Sequence, residues 1–389
     1  MVLQITEDNR QTATALFTAD GFDELVPPPA FDYRTYELNP DEAEDKLALL
    51  IKGMTEVADK TGRFVYQLPD GRIIDTCTYH RWEWPQAIGM NGLFDYYQLR
   101  SSQNPSDPSA QHTLALMKEW YHQRVEEGIP AKNINSMAVM YSVACLLDLD
   151  QQRGKGSLLD EEWRERFEGW VDEWAEWIMN ELPRTPQGGF QHVTFRLANE
   201  GQLWDDTLMM TVIPLTKIGL LLNRPHYIEE AGTSGTHSSD APWARGNCWI
   251  TLAIPMFLEL TGLSPSDPVH RMLVSTLRRQ VDALLPLRDA ASGLWHTLLD
   301  DPTSYVETSG SSGFVGGILM AIRLVISGLK ACLAQVTPTG QVGNVSKGTP
   351  AGKDRKFYKG IPRMGMVYGN SLLIVALVQW MRLTKGESK

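Results

Sequence analysis

The chain has 389 residues, 43% of them hydrophobic, which is enough to bury a large core, and no long polar stretch separates two modules in its middle. Its 36 basic and 47 acidic residues leave a net charge of -11, a field that repels polyanions and excludes nucleic acid as a bulk partner. Cys77, Cys145, Cys248 and Cys332 lie far apart, which excludes a dense disulfide framework and paired zinc-ligand spacing, so free buried thiols and no metal or cofactor are expected.

Met1 to Asp8 lacks a basic start followed by an apolar core, so the chain reads as intracellular and cytoplasmic. Residues 1–40 read as an N-terminal arm and 41–389 as one domain. Helices are predicted near 43–60, 86–100, 109–127, 135–149, 159–181, 205–222, 246–262, 268–286, 309–330 and 364–384, and strand-like alternation is scarce. The apolar stretch Met137 to Leu147 is too short for a bilayer, and Arg323 interrupts Gly313 to Leu329, so no membrane span is expected. Some helices carry charge on one face, as from Glu161 to Glu181, whereas Asn135 to Leu149 and Gly246 to Leu260 are apolar nearly all round. Two kinds of helix imply two layers, an inner ring wrapped by an outer one: an all-α toroid with a pocket framed by the loops at one end.

Four segments each precede an apolar helix: Arg81-Trp82-Glu83-Trp84-Pro85, Trp204-Asp205-Asp206, Trp243-Ala244-Arg245-Gly246-Asn247 and Glu307-Thr308-Ser309-Gly310. Trp82, Trp84, Trp204, Trp243 and Trp249 gather at these helix starts, and indole faces stack on sugar rings. The paired carboxylates Asp205 and Asp206 admit two roles from residues alone. They either cap the helix and complement its dipole, or they perform sugar chemistry at the mouth of a pocket. Arg245 offers a planar fork suited to a carboxylate, with Trp243 and Trp249 flanking it. Glu83 and Glu307 are weaker candidates.

On these residues the chain resembles glycoside hydrolase family 105, the unsaturated rhamnogalacturonyl hydrolases. The matching blocks are RWEWPQAIGMNGLFDYY from Arg81, GGFQHVTF from Gly188, QLWDDTLMMTVIPL from Gln202, PWARGNCW from Pro242, GLWHTLLDDPTSYVETSGSSGF from Gly293 and GTPAGKDRKFYKGIP from Gly348. The resemblance implies an (α/α)6 barrel, or six-hairpin toroid. It also implies an oligosaccharide substrate, from which an unsaturated uronic acid is removed at the non-reducing end. In the family an aspartate two residues after a tryptophan protonates the ring's vinyl-ether double bond and activates water; that role falls on Asp206, with Asp205 as a secondary candidate. His192 stands where the family carries a histidine ahead of the catalytic helix. Asn135 falls where a second, assisting aspartate is expected, and an amide cannot take up a proton. His192, Arg245, Trp249, Trp243, Trp84 and Asn135 are therefore the expected substrate contacts.

Two departures fall on the outer layer. Between Asp206 and Arg245, Tyr227 to Glu230 runs into the loop-like Ala231 to Asp240, where a full outer helix and a histidine-bearing loop are usual; His237 is a candidate replacement. Beyond Arg323, a break expected at Ser327-Gly328 leaves little chain for another outer helix. One or two outer helices are thus expected to be missing or shortened. A homodimer through the open flank, a catalytically impaired uronate-binding relative and an unsaturated glucuronyl hydrolase stand as alternatives. The basic segment Lys347 to Arg363 is either a guide for acidic sugars or a solvated loop.

Overall fold

The computed structural model describes residues 40–57, 65–67, 73–75, 78–195, 197–231, 242–333, 336–337, 342, 345–346 and 363–364. The chain divides into two compact units, Met1–Phe314 and Val315–Lys389. In the first unit, α1 (Pro40–Glu56) precedes a small antiparallel pair, β1 (Val65–Gln67) and β2 (Ile73–Asp75), in which Val65 faces Asp75. Then come α2 (Trp84–Gln103), α3 (Pro108–Glu127), α4 (Ile134–Met137), α5 (Met140–Arg153), α6 (Glu161–Asn180), a π-helical turn (Leu208–Val212), α7 (Ile213–Leu221), α8 (Pro225–Ala231), α9 (Ala244–Thr261), α10 (Pro268–Leu284) and the start of α11 (Thr308–Leu333). The second unit's described strands are β3 (Val345–Ser346) and β4 (Arg363–Met364), an antiparallel pair.

The helices α2, α5, α7 and α9 pack side by side, and each carries the next full helix of the chain, α3, α6, α8 and α10, on its outer side. Four successive inner–outer hairpins of this kind are the repeat unit of an (α/α)6 barrel. Burial follows the layers. Every residue of α5 from Ser142 to Leu147 is buried, whereas α10 buries only Leu277 and Leu284.

Capping differs between the layers as well. Three of the outer helices, α3, α6 and α10, start on their own aspartates: Asp107 accepts from Ala110 N (3.0 Å), Asp160 from Trp163 N (3.0 Å) and Asp267 from Val269 N (2.7 Å). The inner helices α2 and α9 start without any side-chain cap. Their first N–H groups are left at the end of the inner layer where the sequence motifs collect.

Several expectations are corrected here. Trp82 is a core residue: its ring packs on Trp120, Trp170 and Trp174 at centroid distances of 5.2–6.3 Å, and its Nε1 donates to Ser136 O (3.0 Å). Burying each such indole contributes about 4–6 kcal/mol at ~25 cal/mol per Å2, which explains why the ring turns inward. The helix expected over 135–149 is two, because Asn133 closes a capping box with Ser136 that makes α4 a separate single turn. No break occurs at Ser327-Gly328, where α11 is continuous. Leu208–Val212 is π-helical, with Ile213 N bonding back five residues to Leu208 O.

The outer helix expected to be missing or shortened is α8, described over Pro225–Ala231. At 7 residues, α8 compares with 20 in α3, 20 in α6 and 17 in α10. Arg224 pins it, pairing with Asp172 and Glu176 of α6, while the Tyr227 hydroxyl also bonds Glu176. Cys145 and Cys248 are free and buried, as expected. The arm at 1–39, His237 and the segment around it, the basic segment except Arg363, and the helix expected at 364–384 beyond Met364 lie outside the described residues.

Candidate active site

Asp206 stands in the first helical turn after Trp204, just ahead of the π-turn. A π-turn widens the backbone by one residue, and such turns collect at functional sites. Burial raises the Asp206 carboxyl and the charge of Asp205 adds to this. Its own backbone N–H, the indole N–H of Trp249 and the positive Arg245 pull the other way, leaving the pKa at about 6. Asp205 accepts Leu208 N through its carbonyl (3.1 Å) and acts on Asp206 as a like charge.

Arg245 enters from the first turn of α9. Its guanidinium lies over the Trp243 ring at 4.6 Å, and Nη1 reaches Ser309 Oγ at 3.5 Å. Among the described residues no carboxylate lies within ion-pair distance of it, which leaves its charge available to an anionic ligand. Glu307 sits just before α11, where it accepts from Ser309 N (3.0 Å), Ser309 Oγ (2.7 Å) and Gly310 N (2.5 Å). Burial pushes its carboxyl up, but these bonds and Arg245 outweigh that and hold it below the usual range. The close approach of α11 to α9 needs glycine: a Cβ on Gly310 would stand 2.9 Å from Arg245 N, and one on Gly313 would stand 2.5 Å from Cys248 Sγ. Cys248 is raised to about 12, first by burial and then by Asp206 and Glu307, so it is a neutral thiol and no nucleophile.

His192 is 3% exposed, stacked on Trp204 with centroids 4.5 Å apart and planes 4° apart, with Nδ1 2.9 Å from Thr207 Oγ1. Burial lowers its pKa to about 4, so the ring is neutral. The loop carrying it is tied by Asn199 Nδ2 to His192 O (2.7 Å) and by Gly201 N to Gln191 Oε1 (2.9 Å). Asn135 is half-buried on α4, which packs against the π-turn. Trp84 and Trp243 are half-buried, whereas Trp249 is only 5% exposed and meets the edge of Trp84 at 5.6 Å.

The structure thus brings Asp205, Asp206, Arg245, Trp243, Trp249 and Trp84 together, with His192 beside the turn that carries Asp206. Sequence reasoning missed Thr207, Ser309 and Cys248. Ser309 had a signal, since a Glu-x-Ser-Gly run at a helix start is cap chemistry. Among the described residues no group of His, Cys, Asp and Glu is placed to hold a metal ion. The arrangement offers a carboxyl able to give and take a proton near neutrality, a cation for an anionic sugar, and aromatic faces at the rim.

The model of Glycosyl Hydrolase Family 88 matches residues 57–234 and 231–384, two stretches that meet in the segment following α8. The chain is 28% identical over 312 residues to the unsaturated rhamnogalacturonyl hydrolase YesR of Bacillus subtilis (strain 168), covering 72% of this chain and 84% of that one. Two crystal structures described as possible GH105 members are similar at 36% identity over 92% of this chain. One, from Salmonella enterica subsp. enterica serovar Paratyphi A, is covered to 98% with a TM-score of 0.65. The other, from Klebsiella pneumoniae subsp. pneumoniae, is covered to 97% with a TM-score of 0.64. The chain therefore belongs to glycosyl hydrolase family 88, and it is a glycoside hydrolase of the GH105, unsaturated rhamnogalacturonyl hydrolase type with the all-α fold of the (α/α)6 barrel.

Proposed function

We propose that this hydrolase removes a 4,5-unsaturated galacturonic acid from the non-reducing end of rhamnogalacturonan oligosaccharides by hydrating the vinyl-ether double bond. The observation that carries the reading is Asp206, a carboxyl with its pKa at about 6 beside Arg245, which no carboxylate pairs among the described residues. One such residue can serve first as acid and then as base. Protonated Asp206 gives its proton to C4, and positive charge develops across C5 and the ring oxygen. Water adds at C5 while the Asp206 carboxylate takes its proton. The hemiketal so formed opens to a C5 ketone and a hydroxyl on C1, and the C1 hemiacetal then releases the aglycone hydroxyl and becomes an aldehyde.

Arg245 receives the uronate carboxylate in this reading, and the half-buried Trp84 and Trp243 supply faces for the sugar rings. His192, neutral and held by Thr207, offers hydrogen bonding without charge; Asn135 can do the same from α4. A homodimer through the flank beside the short α8 belongs to the same proposal, and sedimentation at micromolar concentration should return twice the chain mass.

The test follows absorbance of the unsaturated uronate as purified protein meets a lyase-generated rhamnogalacturonan disaccharide. Decay with wild type and not with Asp206→Asn supports the proposal. Decay only on a glucuronate-ended disaccharide reassigns the substrate. No decay from a cooperatively folded protein favours uronate binding alone, a second reading that draws on the short α8 and on the family match dividing beside it.

A further inference from the structure

Trp249 does not fit the role of a sugar platform. Its side chain is 5% exposed, and the Trp84 ring meets it at 81° and 5.6 Å, covering what a sugar would need. Its Nε1 is sealed from solvent and makes no hydrogen bond of ordinary geometry. A buried indole N–H without an acceptor loses more than a typical hydrogen bond contributes, so its retention calls for a state in which the acceptor is present. That acceptor is at hand, because α9 packs on the π-turn and the indole N–H is among the groups that act on the Asp206 carboxyl.

We infer that Trp249 is a positioning residue for proton transfer, whose Nε1–H donates to the Asp206 carboxylate formed when Asp206 gives its proton to the double bond. The inference rests on Asp206 being the acid of the proposed hydration. In the step, the carboxyl O–H bond breaks, the proton forms the C4–H bond with the double bond's electron pair, and the negative charge left on Asp206 accepts the indole N–H. The indole keeps its own proton throughout, and water later restores the carboxyl. Trp84 fixes the indole plane so that the donor is in place before the charge appears.

Two charged groups bear on the same carboxyl, Asp205 from its own turn and Arg245 from α9, while the Cys248 thiol of α9, raised in turn by Asp206, is neutral. Glu307, ahead of α11, bears on Arg245 and Cys248. His192, in the preceding loop, is neutral, and Asn135 on α4 carries no charge. None of these is changed by a substitution at position 249, so the donor can be removed alone.

Trp249→Phe keeps a ring against Trp84 and deletes the N–H. The expected result is a fall in kcat of about 10- to 100-fold, the size of a hydrogen bond to a charged group. KM should stay within about twofold, and the alkaline limb of the kcat/KM profile should move up by about one pH unit, because an unsupported carboxylate holds its proton longer. A raised KM with the limb unmoved would overturn the inference and make Trp249 a substrate contact. Replacing Trp249 by the benzothienyl isostere, which has sulfur in place of N–H, must give the same shift even if the phenylalanine packs poorly.

If wild type proves inactive on the disaccharide, the functional reading fails, and titration of the Asp206 Cγ signal in 13C-aspartate-labelled unliganded protein still decides. A higher midpoint in Trp249→Phe supports the inference, and an unchanged one rejects it.

Discussion

Asp206 pays for its reactivity in stability, and the sign follows from its shifted pKa. The folded carboxyl titrates at about 6 against an ordinary value of 3.8, so the folded state holds a proton that the unfolded state has already lost. Stability is therefore highest below 3.8, falls as pH rises toward 6, and stays reduced above that. Asp206→Asn should raise the urea-derived unfolding free energy at pH 7.5 by about 2–3 kcal/mol while abolishing loss of the double-bond absorbance. Equal stability of the two proteins would show that the carboxyl is not held up in the fold. Wild-type kcat/KM should be flat below pH 6 and fall tenfold per unit above it, because in the proposed hydration the acid form gives the first proton. Removing the like charge with Asp205→Asn should move that limb to lower pH, as measured with the same absorbance assay.

At the scale of elements, the meeting of α9 and α11 is the most demanding contact. The Gly313 position has no room for a methyl group, with Cys248 Sγ 2.5 Å and its Cβ 2.8 Å from where a Cβ would stand. Gly313→Ala should cost about 1–3 kcal/mol by overpacking and lower activity by shifting Arg245 relative to Asp206. Thermal denaturation measures the first, kcat/KM the second, and Cys248→Ala in the same chain should recover part of both. A Gly313→Ala protein with wild-type melting would mean the helices separate freely. Trp82 makes the matching case for the α2, α3 and α6 core. Trp82→Ala should lose about 3–5 kcal/mol, without altering the pH limb of any remaining activity.

For the whole molecule, acid stability is where two opposed groups meet. Buried His192 stays neutral down to about 4, whereas in the unfolded chain it takes up a proton below its ordinary 6.5. Stability is intact above 6.5 and is lost as pH falls toward 4, by up to about 3 kcal/mol; Asp206 gains over nearly the same range. The wild-type profile should then be flatter between pH 6.5 and 4 than that of either single variant. His192→Gln should remove the loss and leave the Asp206 gain uncompensated, so its urea midpoint should rise from pH 7 to pH 4.5 relative to the nearly level wild type. The same change in both proteins would place the proton elsewhere.

What could be read from the chain was whatever repeats or is local. Apolar periodicity gave the two layers, because a helix between others must be apolar all round and one on the outside need not be. The motifs at helix starts gave Asp206, Arg245 and Trp84 together, because hairpins of similar length bring successive inner-helix starts to one end. The short stretch after Tyr227 announced the short α8 by length alone. Tertiary structure decided the rest. Trp82 and Trp84 are two residues apart and alike in sequence, yet one fills the core and the other reaches the rim, because the chain turns into α2 between them. The orphaned N–H of Trp249, the neutral His192 and the pKa of Asp206 depend on burial and on charges from distant segments, and no single stretch of sequence carries that sum of terms.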